Sequence, residues 1–304
     1  LVPADPPLEK PMLLRRRAAA PPPSLKVIVD ATADLSEADL ARSGVWQLAS
    51  VVRVGGQSYS STELSPERLL ALIEAQGAAP VIEPPSVDAY EQVFRQALAQ
   101  SDEVLSLHLS SRLSVSFACG QEAARAFGSR VRVLDSPAGS YALGLQALRA
   151  ARLAAGGHNA AAIVSALRAV QARQLMHFTV SDVRFMHLSG RITPVTAPLE
   201  RSHDVQPIFR YHHGLVELTA RAPDHEAAMR QLARSVTKFV TETLPEGARV
   251  AFLHSPGGEE GAERLRTLLS ASGLTYEDAG TRSIGNHLLA VTGPRATGVV
   301  AEPL

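Results

Sequence analysis

Three things are scarce in this chain of 304 residues. It has one cysteine, Cys119, so no disulfide can form within it. A lone thiol inside an apolar-periodic stretch reads as a small buried residue, not a reactive one. It has no surplus of either charge. Its 30 basic side chains are matched by 30 acidic ones, which excludes the basic excess of a dedicated nucleic-acid binder. It has no apolar run near the roughly 20 residues that span a bilayer, so a cytoplasmic protein without stable membrane insertion is expected. Familiar catalytic signatures are also missing. There is no Gly-x-Ser-x-Gly, no Gly-x-x-x-x-Gly-Lys-Ser/Thr, and no Gly-x-Gly-x-x-Gly after a strand. His225-Glu226 does not extend to a His-Glu-x-x-His motif, and His177 and His187 lack a third ligand at metal spacing. No metal and no cofactor are expected.

What is present is ample apolar material, 45% of the chain, in a length that suits about two domains. Residues 1–24 are rich in proline and alanine around Arg15-Arg16-Arg17 and lack a signal-type apolar region, so they read as a disordered leader. From Lys26 onward strands and helices alternate. Lys26–Asp30 reads as a strand, with Asp34 or Ser36 capping the helix after it. Val45–Val54 reads as one strand closed by Gly55-Gly56. Ser86 caps an amphipathic helix with Tyr90, Val93, Phe94, Ala97 and Leu98 on one face. Val131–Asp135 is a further strand, and Leu143–Ala155 a helix. This alternation predicts a parallel sheet covered on both faces. Beyond His177 the pattern changes. Val205–Tyr211 and Leu215–Thr219 flank His212-His213-Gly214, a hairpin signal that predicts antiparallel strands. A boundary near residues 172–177 separates two α/β domains, 25–174 and 175–304.

The most informative stretch runs from Leu107 to Phe117. An apolar strand, Val104–Leu109, breaks into a serine cluster, and a helix begins behind Ser114. A hydroxyl and unpaired backbone N–H groups then meet at a helix mouth, which suits a carboxylate or a phosphate. Ser114 as an ordinary helix cap is the simpler reading, and the two are compatible.

Several segments resemble the DegV family of fatty-acid-binding proteins. Asp30-Ala-Thr-Ala-Asp-Leu35 is similar to that family's Asp-Ser-x-x-Asp-Leu, and Leu109-Ser-Ser-Arg-Leu-Ser114 to its Ile-Ser-Ser-x-Leu-Ser-Gly-Thr. Asp135-Ser136 with Ser140 and Gly144, Gly190-Arg191-Ile192, Gln206-Pro207-Ile208 with Gly214 and Arg221, and Ile284-Gly-Asn-His287 with Gly293-Pro294 continue the series in order. The resemblance implies the EDD fold, with a Rossmann-like parallel α/β/α N-terminal domain and a C-terminal α/β domain with a mixed sheet. It also implies a long-chain fatty acid such as palmitate held between the domains, no catalysis by the chain itself, and a separate fatty acid kinase as partner.

By the same resemblance the acyl carboxylate is held at Ser114, at His287 and at the position of Ile82, with Val115 following the serine. Arg191 is the candidate for partner docking. Here the chain departs from the family. Ile82 stands where the family has threonine, Glu83 beside it would repel a carboxylate if turned inward, and Val115 replaces a glycine. Gln206 replaces a lysine, and the spacing after His287 is longer by about three residues. Two other readings stay open. One is a diverged member that binds no lipid and works through protein contacts. The other is a serine hydrolase using Ser114 and His287, with Asp30 or Asp135 as the acid.

Overall fold

The computed structural model describes residues 24–77, 79–189 and 205–304. The first half runs β1 (Leu25–Asp30), α1 (Glu37–Ser43), β2 (Trp46–Leu48), β3 (Val51–Val54), β4 (Gln57–Ser60), α2 (Pro66–Gln76), β5 (Val81–Glu83), α3 (Val87–Leu98), β6 (Glu103–His108), α4 (Ser116–Ala124), β7 (Val131–Asp135), α5 (Ser140–Ala155) and α6 (Ala160–Gln171). The second runs β8 (Leu175–Thr179), α7 (Arg184–Leu188), β9 (Gln206–His212), β10 (Leu215–Ala222), α8 (His225–Thr243), β11 (Ala248–His254), α9 (Glu259–Ala271), β12 (Glu277–Ser283), α10 (Asn286–Thr292) and β13 (Thr297–Pro303). Among the described residues no helix is long and apolar enough to cross a membrane.

The apolar strands β1, β6 and β7 pair in parallel with β2, in the order β2-β1-β6-β7. The second half forms a six-stranded mixed sheet, β10-β9-β8-β13-β11-β12, in which only β11 and β12 run parallel. The fold class read from the sequence is what the chain adopts.

Helix α5 joins the halves. Its sequence is dominated by small residues, and Ala142, Leu143, Gly144, Leu145, Ala147 and Ala150 are all buried, so it has no solvent stripe over most of its length. One core runs through it, from Val29 and Leu107 of the parallel sheet to Leu253 and Val300 of the mixed sheet. Gly144 permits the closest approach: a Cβ there would lie 2.4 Å from the Ala33 carbonyl oxygen, in the 3-10 turn after β1.

Two expectations need correction. Val45–Val54 is not one strand. Beyond Leu48 the chain leaves the parallel sheet, because Ser50 exchanges hydrogen bonds with Ser61, its N–H donating to Ser61 Oγ at 2.9 Å and its carbonyl accepting from Ser61 N–H at 2.9 Å. Val51 then begins a separate sheet, β4-β3-β5, whose Val52 and Val54 pack on Leu69, Ile73 and Leu289. Apolar alternation alone cannot show a change of sheet partner. The α4 helix also begins at Ser116, with Val115 at its cap position making no side-chain cap bond. Ser114 is therefore not the cap. Its Oγ accepts from the Ser116 N–H at 3.1 Å, a bond two residues along the chain that ends the turn before the helix.

Adding a methyl at Gly144 should reverse the usual helix preference for alanine. Gly144→Ala is expected to destabilise the protein by about 1–3 kcal/mol, because the nearest atom is backbone and cannot rotate away. Denaturant unfolding measures this, and an unchanged or raised midpoint would contradict the close approach.

Candidate functional site

The parallel sheet changes winding direction between β1 and β6. The crevice beyond the carboxyl ends of such strands is where open α/β sheets bind ligands. A cavity of about 450 Å³ lies there. Its polar wall includes Ser50, Ser114, Ser116, Ser140 and His287, and its apolar wall includes Phe178, Met186, Tyr211, Val216, Leu288 and Val291. Phe178 stacks on Phe209 with ring centroids 5.4 Å apart, which makes that wall part of a packed core.

The Ser110–Ser114 turn is held from three directions. The Ser110 carbonyl accepts from Leu113 N–H at 2.9 Å and Ser114 N–H at 3.1 Å. Ser111 donates through its N–H and Oγ to Asp135, at 2.8 and 2.5 Å. Ser110 Oγ donates to the Gly214 carbonyl at 2.8 Å and Arg112 Nη1 to the His213 carbonyl at 3.0 Å, which brings the β9–β10 hairpin onto the turn. The mouth of α4 thus opens on the cavity with Ser114 at its edge. Val115 is 62% exposed, so it stands at the rim and does not plug the helix mouth.

Beneath the wall lies a buried polar network. Asp30 accepts from the Leu109 N–H at 3.0 Å, from Ser116 Oγ at 3.1 Å, and from both the N–H and the hydroxyl of Thr32. Ser116 Oγ also meets Tyr90 Oη at 2.7 Å and His108 Nδ1 at 3.1 Å, while His108 Nε2 meets Ser106 Oγ at 2.8 Å. Burial outweighs the nearby carboxylates and holds His108 down at about 4, so the ring is neutral near pH 7. Burial and the charge of Asp30 push the Tyr90 phenol well up. Gly120 makes room for the imidazole, since a Cβ there would lie 2.6 Å from His108 Cε1. Four donors on Asp30 explain how an acid can line the cavity without leaving an unsatisfied charge on its surface.

His287 enters from the other half of the chain. It sits in the first turn of α10, where Asn286 Nδ2 donates to the carbonyls of Ser61 at 3.0 Å and Leu64 at 2.6 Å. His287 Nε2 meets Ser50 Oγ at 2.9 Å. Just before α10, the Gly285 N–H donates to Asp34 Oδ1 at 2.9 Å, and Ser140 Oγ donates to Asp34 Oδ2 at 2.5 Å. Burial pushes the Asp34 carboxyl up to about 7, against the two hydrogen bonds that favour its ionised form.

The residues singled out by sequence largely converge. Ser114, Val115, Ile82 and His287 all line the one cavity. Glu83 is turned away, with Arg53 Nε 2.8 Å from its carboxylate. Gly190 and Arg191, and the leader apart from Ser24, lie outside the described residues. The acids offered for a hydrolase are bonded to serines 111 and 116, and Ser114 hydrogen-bonds to Ser116 N–H and not to His287. Among the described residues no His, Cys, Asp or Glu cluster could hold a metal. Thr32, Ser50, Ser116 and Ser140 are among the lining residues that the sequence does not single out as ligands. The signal for three of them was their place in or beside the Asp30–Leu35, Ser110–Ser114 and Asp135–Gly144 segments. Ser50 carries none, because it lies inside the apolar stretch Val45–Val54.

Asp34 should leave a mark on stability. Its carboxyl holds a proton up to about pH 7 in the fold, against an ordinary value of 3.8. That contribution is complete below the unfolded value and is lost as pH rises through the folded one. Asp34→Asn cannot ionise. Its stability relative to the parent should therefore improve by up to about 4 kcal/mol between about pH 4 and pH 8. Denaturation at the two pH values measures it, and a pH-independent difference would contradict the burial of a protonated acid.

Comparison with known proteins places this architecture. Residues 24–304 match the model of a family described as "Uncharacterised protein, DegV family". A DegV domain-containing protein of Deinococcus radiodurans is 36% identical over 282 residues, which is 92% of this chain and 99% of that protein. A DegV family protein from Thermus thermophilus, described by its fatty acid binding, superposes with a TM-score of 0.87 at 29% identity, over 92% of this chain and 100% of that one. The Bacillus subtilis DegV, described as a fatty acid binding protein, shares the fold with a TM-score of 0.81 at 20% identity over 92% of this chain and 99% of its own. The chain therefore belongs to the DegV family.

Proposed function

We propose that this protein is a fatty-acid carrier. The observation that carries the reading is one cavity with two unlike walls: a helix mouth ringed by hydroxyls and an imidazole, facing a packed apolar surface. An acyl chain gains about 0.8 kcal/mol for each CH₂ taken from water, so the tail supplies the affinity. The head group, once buried, must be hydrogen-bonded or it costs several kcal/mol. Ser114 can donate its hydroxyl while accepting from Ser116 N–H, and the α4 N-terminus and His287 complete the polar face. Residues 25–174 and 175–304 are the two domains that clasp the ligand in this reading. The protein does no chemistry on the lipid and presents its carboxylate to a separate fatty acid kinase, with Arg191 in the docking surface.

Organic extraction of the purified protein, followed by mass spectrometry, should release a long-chain fatty acid. Protein that carries none and takes up no palmitate would sink the proposal. Ser114→Ala and His287→Ala should each weaken palmitate retention by about tenfold, the loss of one buried hydrogen bond to a charged group. Unchanged retention in both variants would refute the head-group assignment. Ile82→Thr should tighten binding severalfold by adding a hydroxyl to the cavity wall, and calorimetric titration against the parent decides it.

A further inference from the structure

Two residues other than glycine face each other across the cavity wall in left-handed backbone conformation. Asp34 has φ 50°, and Ser140, the first residue of α5, has φ 53°. A serine in that region stores strain, and strain of this kind persists only where the surroundings over-determine it. Here the surroundings are one short hydrogen bond, Ser140 Oγ to Asp34 Oδ2 at 2.5 Å, and the Gly285 N–H on the other carboxylate oxygen. Gly285 has no room for a side chain, since a Cβ would lie 2.5 Å from Asp34 Oδ1. The carboxyl is thus clamped between the start of α5 and the segment that carries His287. Ser140 itself lines the cavity, whereas Asp34 stands behind it.

The direction of the Ser140–Asp34 bond decides what the cavity offers. With Asp34 ionised, Ser140 must donate its only proton to the carboxylate. It then turns nothing but lone pairs toward the cavity, and these repel an anionic head group. With a proton on Asp34, the acid O–H donates to Ser140 Oγ and the serine proton is free to point inward. We propose that Asp34 is a positioning residue that acts through Ser140, so that binding of a fatty-acid carboxylate draws one proton from solvent onto Asp34. The proposal rests on the fatty-acid reading above. It adds that the site recognises an anion by becoming a donor as the anion arrives.

The charged groups around Asp34 leave this proton to Asp34. Asp30 on β1 has its own four donors and disfavours a second negative charge nearby. Asp39 on α1 is held by Ser36 and Arg42. Arg282 at the end of β12 reaches Asp39 and the Tyr141 hydroxyl of α5. Glu37, Glu63 and Glu67 line the groove on the far side, and His287 on α10 meets Ser50. Among the described residues no cation ion-pairs with Asp34, and burial places its titration at about 7, where a proton can be gained at little expense.

The test is calorimetric titration of delipidated protein with palmitate and with 1-hexadecanol, from about pH 6 to pH 9, in buffers of different ionisation heat. The parent should bind palmitate with constant affinity below about pH 6.5 and lose up to tenfold per pH unit above about pH 7, with uptake of up to about one proton per lipid. Hexadecanol, which can donate its own hydroxyl proton to Ser140, should show no such slope. Asp34→Asn carries a permanent donor toward Ser140 and suits a left-handed backbone, so it should bind palmitate at least as well as the parent and without the slope. Ser140→Ala should lose the slope and bind severalfold more weakly at low pH. A slope that survives in Asp34→Asn would assign the linkage to another group, such as His287 or the lipid itself, and overturn the proposal. A parent that binds hexadecanol and palmitate alike without proton uptake would overturn it too. A parent that binds neither at any pH would overturn the carrier reading instead.

Discussion

Everything at this site depends on a helix that is buried on both sides. Helix α5 lies between the parallel and the mixed sheet with alanine, glycine and leucine at most of its buried positions and no charged side chain among them, Tyr141 being its buried aromatic. Burial on both sides resists sliding, since displaced side chains would leave voids in the shared core. The two halves of the chain therefore share one core. The cavity between them takes Ser50, Ser114, Ser116 and Ser140 of its polar wall from the first half and His287 from the second, and Phe178, Met186, Tyr211, Val216, Leu288 and Val291 of its apolar wall from the second. Helix α5 also delivers Ser140 to that wall, so the same element that joins the halves helps build the site.

The second constraint is polar satisfaction. Asp30 lines the cavity and Asp34 stands directly behind its wall, two carboxyl groups that would ordinarily defeat an anion site. Each is neutralised by a different means. Asp30 is surrounded by N–H and hydroxyl donors, so its charge is distributed among them. Asp34 is so buried, with one hydroxyl and one N–H as partners, that its protonated form dominates up to about neutral pH. Glu83, the third acid near the wall, avoids the problem by pairing with Arg53 on the outside of the small sheet. The same desolvation logic keeps His108 neutral within the network, where an imidazolium would need a counter-charge of its own.

Much of this was legible before any coordinates. Apolar periodicity located most of the helices, and Ser36, Ser86, Asn159 and Asp224 each cap one through a side-chain bond. The hairpin at His213-Gly214 followed from its turn residues, which both take positive φ. What local pattern does not reveal has physical reasons. The strand Glu277–Ser283 is a polar sheet edge paired on one side only, so it carries no apolar alternation to detect. Ser50 interrupts an apolar stretch with a single polar residue, and its bonds to Ser61 and His287 come from segments 11 and 237 residues away. Val115 stands where the family has glycine, yet its side chain is mostly exposed at the rim.

By itself the sequence determined most of the helices, the apolar strands, the α/β class, and the serine-rich turn at a helix mouth, because these depend on periodicity and on neighbours a few residues apart. It also determined the family, through short segments in a constant order. Only the tertiary structure decided which hydroxyls share a wall, which acids face the cavity, and that Asp34 stands behind Ser140. Those outcomes depend on burial and on hydrogen bonds between residues far apart in the chain, and a carboxyl's charge follows from the water it has lost, which no local pattern records.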